Sequence, residues 1–145
     1  MHARRHKKQN GFTLIEIMVV VVILGILAAV VVPQIMDRPD TARITKARLD
    51  IQSLEGALNQ YRLDNFVYPN TEQGLEALVK KPEADPAPAN WSKSGYIKTL
   101  PKDPWNRPYI YLSPGDKGDF DLYSLGADGQ SGGEDANADI VNWSQ

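Results

Sequence analysis

The chain has 145 residues, with 16 Lys and Arg against 18 Asp and Glu, a net charge of −2 and a pI of about 5.6. That length accommodates one membrane segment and one small domain. There is no cysteine, and both histidines, His2 and His6, precede the first apolar run. A disulfide framework and a thiol nucleophile are therefore excluded, and a chain cut after this leader would also lack the imidazole of Ser-His-Asp, Cys-His and His-ligated zinc sites.

The first element runs from Gly11 to Pro33, GFTLIEIMVVVVILGILAAVVVP, behind the basic leader residues Arg4, Arg5, His6, Lys7 and Lys8. Nothing between Ile17 and Val32 is charged, and with Phe12 to Ile15 the run reaches the ~20 residues that span a bilayer core. It holds one acid, Glu16. An intramembrane carboxylate costs roughly 2.5–3.5 kcal/mol, so its presence points to function. A secretory signal peptide has an apolar core of about 7–15 residues ending at small side chains. This run is longer, ends in Val-Val-Val-Pro and places an acid where the core begins. A plain signal anchor, its basic flank cytoplasmic by the positive-inside rule, leaves only Glu16 unexplained.

A third reading accounts for Glu16. Cleavage after Gly11 creates an α-amino group on Phe12, with Glu16 about one helical turn away. In a staggered array of parallel helices, the carboxylate of one subunit can pair with the amine of its neighbour and offset the desolvation. The cut also removes Arg4, Arg5, Lys7 and Lys8 but no acid. The acidic product has no basic patch, which argues against nucleic acid as a partner.

The basic leader, the motif Gly11-Phe12-Thr13-Leu14-Ile15-Glu16 and the uninterrupted apolar helix, in that order, resemble the class III prepilin signal of the type IV pilin-like superfamily. The resemblance implies a leader, 1–11, removed by a prepilin peptidase after Gly11. It also implies N-methylation of Phe12, a role for Glu16 in assembly, and a transmembrane and assembly helix over 12–33.

Farther along, Pro33 and Pro39 predict a bend or local break, since proline removes a helix hydrogen bond. Ile44, Ala47, Ile51, Leu54, Leu58 and Tyr61 recur at alternating spacings of three and four, with Arg43, Lys46, Arg48, Asp50 and Glu55 on the other faces. That pattern predicts an amphipathic helix, the second half of one long helix packing on a globular head over 34–145. Asn70-Thr71-Glu72-Gln73 has the composition of a helix start and Lys80-Lys81-Pro82 that of a stop, with Leu75, Leu78 and Val79 as the apolar face. Glu83 to Ser94, with three prolines, reads as an ordered surface loop. Tyr109 to Leu112 and Phe120 to Ser124 read as strands joined by a turn over Ser113 to Gly118. The predicted class is α+β: a long N-terminal helix on a small antiparallel sheet. Asp64, Asp103 and Asp121, at unrelated spacings, read as surface or turn residues and not as a hydrolytic centre.

The last motif, Asp128 to Asp139, places Asp128, Glu134, Asp135 and Asp139 in a glycine-rich stretch. Calcium takes 6–8 oxygen ligands from carboxylates, amides and carbonyls, and a loop of this kind can wrap to supply them. It is not an EF-hand, because Gln130 and Gly132 stand where that motif requires Asp or Asn, and no helices flank it. On composition alone, a solvated acidic loop remains the alternative.

The blocks DNFVYP, TEQGLEALVKKP, GYIKTLPKDPWNRPY, FDLYSLGADG and the tail through NW resemble the major pseudopilins of type II secretion systems over essentially the whole chain from Gly11. The resemblance implies the pilin-like fold with a calcium-binding C-terminal loop. It implies side-chain ligands Asp128, Asp135 and Asp139, carbonyl ligands Leu125 and Gln130, and Glu134 and Asn137 in reserve. It further implies a non-enzymatic, structural subunit that polymerises into a periplasmic pseudopilus on the bacterial inner membrane and drives export of folded proteins. Its partners would be further copies of itself, minor pseudopilins, the prepilin peptidase and the inner-membrane secretion platform. An adhesive or motility type IV pilin, commonly closed by a disulfide, and a minor pseudopilin are the alternatives. Where the family commonly shows Asp-Pro-Trp-Gly, this chain has Asp103-Pro104-Trp105-Asn106.

Overall fold

The computed structural model describes residues 11–143, without the side chains of 31–38. Of the predicted leader, only Gly11 is among the described residues. The chain divides after Pro39 into two compact units.

One helix, α1, spans Leu14–Asn65, 52 residues, and crosses the boundary between the units. It runs unbroken through Pro33 and Pro39, so the possible break is not realised. Each proline withholds one N–H from the ladder, and the remaining bonds carry the helix on. In the first unit the helix opens on a reciprocal pair. The Thr13 amide donates to Glu16 Oε2 at 3.4 Å, and the Glu16 amide donates to Thr13 Oγ1 at 3.3 Å. This is a capping box, satisfying two of the amides that a helix start leaves unpaired. Every residue from Gly11 to Val30 is exposed, although most are large and apolar. Among the described residues no helix is long and apolar enough to cross a membrane. The end of the expected 12–33 span lies among the residues without described side chains.

In the second unit the predicted stripe is the core. Ala47, Ile51, Leu54, Leu58 and Tyr61 are all buried, and Ile44 packs against them part-buried. The stripe meets Leu75, Ala77, Leu78, Tyr109, Tyr111, Phe120, Leu122 and Ile140. Three antiparallel strands follow in the order β1-β2-β3: β1 Ile110–Leu112, β2 Asp121–Ser124 and β3 Ile140–Val141. Tyr111 faces Leu122 across the first pair, and Ser124 faces Ile140 across the second. The α+β class and both predicted strands are present, each strand a residue shorter at its start. β3, at two residues, is too short to leave a periodic signal.

The helix expected after Asn70 is instead a four-residue 3₁₀ turn, Leu75–Leu78. Its start signal is real: the Gln73 amide donates to Asn70 Oδ1 at 2.8 Å and the Asn70 amide to Gln73 Oε1 at 3.1 Å. Gly74 then adopts φ 59°, outside the α region, and stops propagation. While Oε1 holds the Asn70 amide, Gln73 Nε2 donates to the carbonyls of Ala84 and Pro86, at 2.8 and 2.9 Å, tying down the proline-rich loop.

Candidate functional site

The loop from Leu125 to Asp139 connects β2 to β3, so the sheet fixes both of its ends. Gly126 leaves β2 at φ 63°, where an added Cβ would lie 2.6 Å from the Asn137 carbonyl, and the Ala127 amide donates to Ala136 O at 2.9 Å. Gly133 is similarly confined at φ 88°, with Asn137 O 2.5 Å from a built Cβ. These glycines let two strands of loop backbone approach more closely than side chains would permit. Asp135 starts a short 3₁₀ turn at φ 53°, a left-handed conformation that Asp tolerates better than most residues.

Within this frame Asp139 is the focal carboxylate. Its Oδ2 accepts from the Gly132 amide at 3.0 Å and from Ser131 Oγ at 3.4 Å. Its Oδ1 is buried and has no hydrogen-bond partner. A buried, unsatisfied carboxylate oxygen is costly, and a bound cation is one way to satisfy it. Asp135 and Asp139 border a common recess of about 430 Å³ with Ile44, Arg48 and Val141. Asp128 lies outside that lining, and its Oδ1 accepts from the Gln130 amide at 3.0 Å. Among the described residues the carbonyls of Leu125 and Gln130 accept no hydrogen bond, which leaves both free as donors to an ion. Glu134 is exposed, and its carbonyl accepts from the Asn137 amide at 3.0 Å. Among the described residues no three acidic side chains converge as a metal cluster by themselves. A cation here would rely on backbone oxygens beside the carboxylates, as a calcium loop does.

The loop is supported from a direction that the sequence did not mark. Arg107 donates through Nη2 to the Gly126 carbonyl, and the same guanidinium occupies the space beside Gly129. Its Nε lies 3.5 Å from Asp103 Oδ2. Asp103 is buried, not exposed: its Oδ1 accepts from the Trp105 and Arg107 amides at 3.0 and 2.8 Å, and its Oδ2 accepts from Ser124 Oγ at 2.7 Å. Asp121 is buried in the same manner, accepting from the Asp116 and Lys117 amides across the β1–β2 turn. Both acids are the turn residues expected of them, but interior ones. Asp64 accepts from Tyr96 Oη at 3.0 Å. The substitution of Asn106 for the family's glycine also has a reason, since Asn106 sits at φ 66°, where glycine is easiest and asparagine next.

At the other end of the chain, Gly11, Phe12 and Glu16 are all exposed. The three residues of the expected processing and assembly motif are thus accessible, and Glu16 caps the helix through Thr13. The Thr-x-x-Glu spacing before an apolar run is the signal that discloses this cap.

The family described as type II secretion system, protein G matches residues 34–143, and the prokaryotic N-terminal methylation motif matches residues 6–32. A type II secretion system core protein G of Pseudomonas aeruginosa is 66% identical over 139 residues, covering 96% of this chain and 98% of that one. The protein of the same description from Vibrio cholerae is 60% identical over 97% of this chain and 95% of its own. The crystal structure of the major pseudopilin from the type 2 secretion system of enterohaemorrhagic Escherichia coli superposes with a TM-score of 0.68 at 48% identity, covering 79% of this chain and 98% of that one.

Proposed function

The chain belongs to the type II secretion system protein G family, the major pseudopilins, and on that premise we propose how its two ends serve the fibre. It is a structural subunit of the pseudopilus that assembles with further copies of itself and with other secretion components. In our reading, prepilin peptidase cuts after Gly11, Phe12 is N-methylated, and 12–33 anchors the subunit in the inner membrane before it enters the fibre. Minor pseudopilins and the inner-membrane platform complete the partner set, with the head in the periplasm.

The observation that carries this reading is the exposed apolar surface of α1 from Leu14 to Val30. A helix apolar on all sides needs lipid or other helices around it. Burial there makes a charge expensive, and the Phe12 amine of one subunit facing Glu16 of the next would offset part of that cost on both sides. The expected result is a mature protein beginning at N-methyl-Phe12 by mass spectrometry, with Gly11→Ala retaining its leader. Glu16→Ala is expected to insert into the membrane yet form no fibres. Normal fibres from that variant would refute the pairing. The absence of cysteine and the match to a secretion-system head favour this reading over an adhesive pilin.

We further propose that the C-terminal loop holds calcium. Asp139 Oδ1, buried and unpaired, supports this, as do the free Leu125 and Gln130 carbonyls. Asp128, Asp135 and Asp139 with those carbonyls would hold the ion, and Glu134 and Asn137 stand in reserve. The ion would offset part of the loop's negative charge and link β2 to β3, a closure that adhesive pilins commonly obtain from a disulfide.

A further inference from the structure

Phe66 ends α1 in a conformation that nothing inside the subunit explains. Its amide donates to Arg62 O at 2.7 Å, the bond of a left-handed helix C-terminus, and its φ is 68°. That position is ordinarily taken by glycine or asparagine, and a bulky residue there is a steric outlier. Inward packing of the ring could compensate, yet the side chain is 76% exposed and makes no ring contact among the described residues. Leu63, three residues back on the same helix, is 76% exposed, and Val67 is 48% exposed. Three large apolar side chains therefore project together at the point where the backbone is strained. Strain that persists without an internal return is typical of recognition sites.

The same head carries an apolar recess of about 490 Å³, bordered by Leu75, Leu100, Pro101, Pro108 and Tyr111. Its rim holds Glu76 and Lys102, neither of which forms an ion pair among the described residues. Beside the projecting group Arg62 is already paired with Asp119 at 3.1 Å and Asp64 accepts from Tyr96 Oη at 3.0 Å, so the two surfaces match through apolar area and not through free charge. Knob and recess share no residue. A contact between two different patches of one chain is heterologous: it leaves a free knob and a free recess at the ends, and it generates rings or helical filaments. A fibre-forming subunit requires that kind of contact.

We propose that Leu63, Phe66 and Val67 of one head dock into the recess at Leu75, Leu100, Pro101 and Pro108 of a second copy of the chain. An aromatic residue buries about 150–250 Å², so the contact falls well short of the ~1,000 Å² of a self-sufficient interface. It acts once α1 helices have gathered the heads, when local concentration takes the place of affinity. It thus selects which faces of neighbouring heads meet and rests on the fibre assignment above.

The natural absence of cysteine makes the test direct. Full-length chain carrying Arg62→Cys, beside the intact Leu63, Phe66 and Val67, and Lys102→Cys is assembled into fibres and oxidised. The expected result is a ladder of disulfide-linked multiples of this chain, with each single-cysteine variant remaining monomeric. Fibres whose two thiols stay reactive but unlinked would overturn the proposal. So would dimers from Arg62→Cys alone, a bridge confined to one subunit, or an adduct to a different protein. In parallel, Phe66→Gly relieves the strain, so the thermal midpoint of the detergent-solubilised chain should hold or rise while fibre yield falls about tenfold, the response to roughly 1.4 kcal/mol of lost contact. Unchanged fibre yield would overturn the docking role, whereas fibre loss in every variant with no membrane-inserted subunit would fault the fibre assignment itself.

Discussion

At Asp139 one carboxylate oxygen is satisfied by the Gly132 amide and the other, though buried, has no partner. An isosteric change separates the two roles. Asp139→Asn keeps the size and can still accept from Gly132 but withdraws the charge that a cation requires. In the parent protein, excess calcium over EDTA is expected to raise the thermal midpoint, with stabilisation of about 2.7 kcal/mol at a hundredfold excess of free ion over its dissociation constant. In Asp139→Asn the difference should shrink towards zero, and equal midpoints in the parent would count against an ion site. The acids of this loop were legible in the sequence because carboxylates and glycines crowd a short stretch. Arg107 and Asp103 were not, because their part depends on a turn that brings residue 107 against residue 126. Asn106 lay between these cases: its departure from the family motif was visible, and its positive φ explains why asparagine suffices there.

Among the elements, α1 was the most legible. Its stripe at Ala47, Ile51, Leu54, Leu58 and Tyr61 is buried as its spacing implied, because helical periodicity and burial are two views of one geometry. Leu58 is fully buried in that stripe. Leu58→Ala should therefore lower stability by about 2–5 kcal/mol, the span for such truncations, read as a lower denaturant midpoint at unchanged slope. The segment after Asn70 shows where local signals fail. Its capping pair forms, but one glycine in a left-handed conformation diverts the chain, and Gln73 spends its amide on the loop at Ala84 and Pro86. A start signal specifies two hydrogen bonds and leaves the helix beyond it to the residues that follow.

Over the head as a whole, the tyrosines give a global readout of packing. Tyr111 donates to the Pro69 carbonyl at 2.7 Å, and burial pushes its pKa up from 10.0 to about 12. Burial also raises Tyr109, helped by Asp50, which accepts its hydroxyl at 2.7 Å. The unfolded phenols release their protons near 10.0 while the folded ones retain theirs, so the native state binds more protons above that point. This contribution is complete below pH 10 and is lost as pH rises through the folded values. Denaturant midpoints should thus decline between pH 10 and 12, less steeply in Tyr111→Phe, and an identical decline in that variant would contradict the assignment.

The sequence by itself determined the apolar run, the N-terminal methylation motif, the long amphipathic helix and the acidic loop. Each is a local pattern whose physical meaning, whether apolar length, helical spacing or ligand type, does not depend on where the rest of the chain goes. Tertiary structure alone decided the two-residue strand β3, the Asp103–Arg107 support beneath the loop, the unpaired oxygen of Asp139, the strained and exposed Phe66 and the apolar recess at Leu75, Leu100, Pro101 and Pro108. These features arise from contacts or conformations set by residues far apart in the chain, and such proximity is fixed only when the core closes.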